Sequence, residues 1–320
     1  MEWLDGFIGP SYTPMEVEIT EIPPLEPGEL SLIDMHSVLN VTTILQCELE
    51  MIGVHLADNP DLLRQSLAFC RQLVAGLSDL AQTVDLAQRL PEYEQTVLNE
   101  IVAASTVYPL HAAQHDHRET VDNIRSIFRI FEVRAREILA RLQAPEDWVC
   151  FPIESLRRDF QEVFNAIEKN SKGRYRIMYN LARQQSHDYY FDFVIESSDG
   201  LSISLPLLVK DVIRDLIANA RKYTAPGGTI NIGLYETPAE LRFVVQDTGC
   251  GIPPDELQTV VAYGQRGSNV QQFRTMGGGF GLTKAFLVTQ QFGGRMWIKS
   301  ELGIGTRITL VLPRPDAHTA

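Results

Sequence analysis

The 320-residue sequence predicts an α + α/β protein, a helical bundle followed by an α/β sandwich. Three observations carry this expectation. Between residues 31 and 143 apolar residues recur every three or four positions in long stripes, the period of amphipathic helices. Beyond residue 170 the pattern changes to short alternating runs punctuated by glycine, the period of half-buried strands. Hydrophobic residues make up 44% of the chain, enough at this length for a core in each of two domains. The expected division is an acidic, Pro-rich segment over 1–30, the bundle over 31–145, and the α/β domain with a linker helix over 146–320.

The first 30 residues, with Pro10, Pro14, Pro23, Pro24 and Pro27 among acidic neighbours, read as an extended or partly disordered lead-in. Met35, Val38, Thr42, Leu45, Leu49, Ile52 and Leu56 then form a coiled-coil-like seam. A second stripe runs through Leu63, Leu67, Cys70, Val74, Leu77, Ala81 and Val84. A third helix carries Val97, Leu98, Ile101 and Val102 and is disturbed by Pro109. The fourth carries Val121, Ile124, Phe128, Phe131, Ala135, Ile138 and Leu142. Stripes this narrow need apolar partners, so they predict a bundle and a homodimer held by it. A fifth helix over Pro152 to Asn170 leads into the α/β domain. There Arg174 to Tyr179 and Tyr189 to Ile195 read as strands, and Val212, Leu216, Ile217 and Ala220 as the apolar face of a helix. Leu241 to Gln246 alternate as a strand with Asp247 at its tip. Residues 252–276 are polar and aperiodic, hence a loop. Leu282, Ala285, Phe286, Val288 and Thr289 mark another helix, and a strand–turn–strand pattern closes the domain, with Thr306 opening the last strand.

Composition narrows the function classes. No apolar run approaches the roughly 20 residues of a membrane span. The N-terminus has no basic region followed by an apolar stretch, so no secretory signal is expected. Cys47, Cys70, Cys150 and Cys250 are scattered, without metal-ligand spacing or disulfide density, and the expected location is cytoplasmic. A formal net charge of −13 argues against a nucleic-acid surface, because phosphates would be repelled.

Four short stretches in fixed order carry chemistry: Asp215 to Thr224, Asp247 to Pro253, Gly277 to Leu282, and Gly303 to Thr306. Asn219 offers an amide oxygen, a hard neutral donor suited to Mg²⁺. Lys222, three residues on, shares its helical face and can offset phosphate charge. A carboxylate at Asp247 can accept a hydrogen bond from an exocyclic amine. Gly249 and Gly251 let the backbone turn tightly beside a flat ligand. Gly277, Gly279 and Gly281 open a helix whose N–H groups can receive phosphate, and they equally form a hinge. Arg266 lies in the loop between glycine stretches and by itself reads as a solvated loop arginine.

Together these stretches resemble the N box and glycine boxes of the Bergerat-fold ATPases, the superfamily of sensor histidine kinases, type II topoisomerases and heat-shock chaperones. The resemblance covers roughly residues 200 to 313. It implies a Bergerat-fold α/β sandwich that binds ATP and Mg²⁺, with Asn219 as metal ligand and Asp247 as the adenine acceptor. Asp215, Asn219, Lys222, Tyr223, Gly249, Gly251, Arg266, Gly277, Gly279, Gly281, Leu282 and Thr306 would line the nucleotide site. Arg266 falls where histidine kinases carry a lid arginine. Asp215 stands where water-activating members carry glutamate. It reads as a general base, as a metal-shell residue, or as a salt-bridged residue near Arg214 or Arg221.

The segment from Asp34 to Asn40 is similar to the phosphoacceptor helix of sensor histidine kinases, which implies His36 as nucleophile with Asn40 four residues on. A neutral imidazole predominates near pH 7 and can attack a phosphoryl group. Such kinases usually have an acid directly after the histidine, where this chain has Ser37. His111, His115 and His117 cluster in a polar turn without cysteine or carboxylate partners at helical spacing. The resemblance implies a soluble histidine kinase that passes its phosphoryl group to the aspartate of a response-regulator receiver domain. Two alternatives stand beside it: a serine kinase of the mitochondrial dehydrogenase-kinase type, and a non-catalytic ATP-binding signalling module.

Overall fold

The computed structural model describes residues 16–315 apart from 27–28, 31–32, 34–35, 77–81, 83–84, 87, 110–116, 144–146, 171–172 and 272–277. The chain divides into two compact units, one of residues 25–145 and one of residues 1–24 with 146–320.

Residues 25–145 contain helices α1 (His36–Ala57), α2 (Arg64–Gly76), α3 (Leu90–Val107) and α4 (His117–Gln143). They share one apolar core. Val38, Leu45, Leu49 and Leu56 of α1 meet Leu67, Cys70, Val97, Ile101, Ile124, Phe128 and Phe131. Phe69 adds a stacked contact with Tyr93 at 3.9 Å between ring centroids. Thr42 fits the apolar seam because its hydroxyl donates to the Val38 carbonyl at 2.9 Å, one turn back. The seam expected along α1 is thus the buried one wherever it is described, and Met35 lies outside the described residues. Val121 is half-buried and outside the apolar core, and two further expected positions are exposed. Val74 is 45% exposed and Val102 is 61% exposed. Phe69 and Leu73 turn the buried face of α2 away from Val74. Val102 follows buried Ile101 by one residue and so points ~100° away around α3. Leu77, Ala81 and Val84 lie outside the described residues, as do the side chains of Ile138 and Leu142.

The other unit is built on a seven-stranded sheet. Its strands are β1 (Glu16–Ile19), β3 (Ile177–Met178), β4 (Tyr189–Glu196), β6 (Thr229–Glu236), β7 (Glu240–Asp247), β8 (Arg295–Glu301) and β9 (Gly305–Pro313), in the order β1-β8-β9-β7-β6-β4-β3. β3, β4 and β6 run parallel and the remaining neighbours antiparallel. β2 (Trp148–Pro152) and β5 (Ser202–Pro206) pair separately. Helices α5 (Ile153–Asn170), α6 (Leu207–Tyr223) and α7 (Gly281–Gln291) cover the sheet's apolar face. Alternation does the sorting: in β7, Leu241, Phe243 and Val245 turn into the core beneath α6.

Three segments differ from expectation, and β2, β5 and β6 are strands that the sequence pattern left unmarked. Glu16–Ile19, inside the acidic lead-in, is an edge strand on β8. Ile19 is buried, and the Glu18 carboxylate receives both Nε and Nη2 of Arg295 at 2.7 and 2.6 Å. The strand expected over Arg174 to Tyr179 shrinks to Ile177–Met178, because Arg176 forks onto Asp188 and the Ile177 N–H bonds to Glu168. The loop after Pro253 contains short 3₁₀ turns at Pro254–Glu256, Thr259–Val261 and Ser268–Val270. Among the described residues no helix is long and apolar enough to cross a membrane.

Candidate nucleotide-binding site

β7 ends at Asp247, and the chain there turns back toward the end of α6. The Cys250 N–H donates to the Tyr223 carbonyl at 3.1 Å, and the Gly303 N–H to the Cys250 carbonyl at 2.9 Å. Three stretches that are far apart in sequence are therefore stitched together by backbone hydrogen bonds. Gly251, at φ 71°, sits so close to the Glu301 carbonyl that any Cβ would overlap it. Beneath this turn Ser300 receives the Ile252 N–H at 2.8 Å and donates to the Gly305 carbonyl at 3.0 Å, while its hydroxyl also meets that of Thr306.

Asp247 is only 8% exposed. The N–H groups of Gly249 and Thr306 donate to its Oδ1 at 2.8 and 3.3 Å, and among the described residues none addresses Oδ2. Burial pushes its carboxyl up to about 6, against the pull of those two N–H groups. A desolvated acid with one oxygen held and one open is a hydrogen-bond acceptor prepared for a ligand.

The fourth stretch closes from the other side. A Cβ on Gly281 would lie 2.6 Å from Asn219 Nδ2, so glycine lets the first turn of α7 rest directly on the Asn219 amide. Gly279 packs against the backbone of Gly264 and Gln265, and Phe280 stacks on Tyr263 at 4.8 Å. This brings the segment holding Arg266 beside the glycines. Burial first, then the charges of Arg266 and Arg221, lower Lys222 to about 8. Lys222 also lies 5.1 Å from the centroid of the half-buried Tyr223 ring. Cations crowded in this way, next to the N-terminus of a helix, make a field suited to an anion. The donor set suits a hard cation as well: the Asn219 amide oxygen, with the Asp215 carboxylate one turn earlier, matches the few oxygen ligands Mg²⁺ takes from protein.

Asp215 requires a correction. Its ion-pair partner is neither Arg214 nor Arg221 but Lys284, whose Nζ donates to Asp215 Oδ2 at 2.9 Å and also to Asp211 Oδ2. Neither Lys284 nor Asp211 was singled out from the sequence. The available signal was a lysine between Thr283 and Ala285 on the apolar face of α7, together with two aspartates four residues apart in an apolar helix. A charge committed to a core needs a partner. Leu282 is half-buried against the core. Gly277 lies outside the described residues. His36 is the first residue of α1, and the side chains of His36, Ser37 and Asn40 lie outside the described residues. His111 and His115 lie outside them too. Among the described residues no group of three or more His, Cys, Asp or Glu could hold a metal ion.

Residues 205–316 match the family described as histidine kinase-, DNA gyrase B-, and HSP90-like ATPase. The C-terminal unit carries a histidine kinase-like ATPase domain. Relatives agree with that domain. Histidine protein kinase DivJ of Caulobacter vibrioides is 38% identical over 106 residues, 33% of this chain and 17% of that protein. Sensor protein SrrB of Staphylococcus aureus is 39% identical over 108 residues, 33% of this chain and 18% of that protein. Similarity to the adaptive-response sensory kinase SasA of Synechococcus elongatus reaches further. It is 28% identical over 247 residues, 72% of this chain and 62% of that one. The chain thus spans less than two thirds of the length of each of these relatives.

Proposed function

We propose that the chain is an ATP-dependent protein histidine kinase that autophosphorylates His36 and passes the phosphoryl group to an aspartate of a response-regulator receiver domain. The observation that carries this reading is the convergence of Asp247, Asn219 and the α7 N-terminus in a segment similar to histidine kinases. Asp247 Oδ2 accepts from the adenine amine. The N-terminus of α7, Lys222 and Arg266 receive the phosphates. Asn219, with Asp215 nearby, would hold Mg²⁺, which supplies charge neutralisation to the triphosphate when bound.

In the transfer, an imidazole nitrogen of His36 forms a bond to the γ-phosphorus as the bond to the bridging oxygen breaks. ADP departs with that electron pair, and the other ring nitrogen loses its proton to solvent water. Phosphoryl transfer is mostly positioning and charge stabilisation, so a neutral imidazole suffices as nucleophile. With Ser37 in the place of the usual acid, no carboxylate directly follows His36 to take that proton, and the reading gives slow autophosphorylation. A homodimer belongs to the reading as the usual assembly of such a bundle, although the stripes of α1 and α4 are, where described, already covered within the chain's own core. The supply of ATP and receiver domains supports a cytoplasmic setting.

Incubation of the protein with γ-labelled ATP tests the reading. The label is expected to be acid-labile and to vanish in His36→Gln while ATP binding persists, and Ser37→Glu is expected to raise the labelling rate. Acid-stable label, or label that survives His36→Gln, would overturn the histidine assignment in favour of a serine kinase.

A further inference from the structure

Asp211, Asp215 and Asn219 follow one another at intervals of four along α6, so they line one stripe of that helix. α7 lies against this stripe. Its first residue, Gly281, covers Asn219, and Lys284, one turn later, ends between the two aspartates. The Lys284 N–H donates to the Phe280 carbonyl at 2.9 Å, so the same residue closes the first turn of α7. Its side chain is 2% exposed and does not reach outward to a ligand. Burial alone would lower the ammonium's pKa. Asp215 and Asp211 outweigh that effect, the net direction is upward, and the charge is retained. Arg214 adds a second cation, 3.9 Å from Asp211 Oδ1.

Net stability is a weak reason for such a cluster. Apolar side chains of similar volume often replace buried ion pairs at no cost, whereas a pair broken on one side is strongly destabilising. What the cluster supplies is geometry. Asp211 and Lys284 are sealed in the core, while the Asp215 side chain keeps 15% of its surface open. With Oδ2 engaged by Lys284, Oδ1 is the oxygen that Asp215 would offer to a hydrated cation.

We propose that Lys284 is a positioning residue for the triphosphate end of the pocket, fixing both the Asp215 carboxylate and the first turn of α7 relative to Asn219. This rests on the ATP-binding reading above, and the ligand class is a triphosphate complexed with a divalent cation. Lys284 acts through Asp215 and the α7 backbone. The adenine end does not depend on it.

Calorimetry on the full chain separates the two ends, with adenosine, ATP in chelator and ATP with Mg²⁺ as probes. Lys284→Met leaves two buried carboxylates facing one arginine and is at risk of misfolding. Lys284→Met/Asp211→Asn removes one charge of each sign and keeps the core neutral. In the double variant, and in the single one if it folds, the tightening of ATP by Mg²⁺ is expected to fall about ten-fold or more. Adenosine affinity is expected to stay within about two-fold of wild type, as for sites that do not share partners. A double variant that keeps the full Mg²⁺ gain would show that Lys284 only packs the core. Parallel loss of adenosine and Mg-ATP affinity would equally overturn the role, since it marks a general defect. A wild-type protein that binds neither adenosine nor ATP would defeat the pocket itself, and this role with it.

Discussion

The two ends of the nucleotide site treat buried carboxylates in opposite ways. At the end proposed for adenine, the hydrogen bonds Asp247 receives from the described residues come from two backbone N–H groups, both on one oxygen. At the end proposed for triphosphate, Asp211 and Asp215 share the ammonium of Lys284, with Arg214 close to Asp211. The first acid is under-satisfied by the protein, and burial raises its pKa to about 6. The second pair is neutralised from within the fold. An acid that must meet a ligand is left with an open oxygen and carries the desolvation penalty. An acid that must hold a neighbouring group in place is given a permanent counter-charge.

The largest effect is expected at Asp247, which has no ion-pair partner among the described residues. Asp247→Ala removes the adenine acceptor and should weaken adenosine, ADP and ATP alike by about a hundred-fold, the scale of a hydrogen bond to a charged group. Calorimetry with adenosine alone gives the cleanest reading, and an unchanged affinity would remove Asp247 from the site. Asn219→Ala should act at the other end only. We expect the Mg²⁺-dependent part of ATP affinity to fall about thirty-fold, roughly 2 kcal/mol, with adenosine binding untouched. Equal losses for both probes would erase the distinction between the ends.

The smallest effect is one of pH. Asp247 has a folded pKa of about 6 against an ordinary 3.8, so between these values the folded protein binds a proton that the unfolded chain does not. Its contribution to stability is therefore present as pH falls below about 6 and is lost as pH rises through that value. Ligand binding runs the other way, because the protonated acid is no longer an anionic acceptor. Adenosine affinity should fall by about ten-fold between pH 7 and pH 5 while the ligand-free protein gains stability from this group. Asp247→Asn should flatten both trends relative to wild type, as followed by calorimetry and thermal unfolding. A wild type and an Asp247→Asn variant with parallel pH profiles would place the carboxylate in an ordinary solvated setting.

Much of the site was legible in the chain itself. Asp247 at a strand tip, Asn219 and Lys222 on one helical face, and the glycines that open α7 all follow from short-range period and glycine stereochemistry. The α1 seam was legible for the same reason, since a 22-residue helix averages out local noise. Short strands were not. β1 hides in a Pro-rich acidic segment, because what makes Glu16–Ile19 a strand is the free edge of β8 and the fork of Arg295 on Glu18. β6 carries an alternation in Ile230, Ile232 and Leu234, but it is short and lies between two stronger motifs.

The sequence by itself determined which residues could bind a nucleotide, because local spacing dictates which side chains share a face and where glycine must stand. Only the tertiary structure decided what each acid does. Lys284 lies 69 residues from Asp215 and 73 from Asp211 in the chain, and no periodicity links positions so far apart. Their meeting depends on α6 and α7 packing closely, and that closeness depends on Gly281 having no side chain to place against Asn219. Coulomb energy and desolvation are functions of distance and burial, so the charge state and role of a carboxylate emerge only when the helices have met.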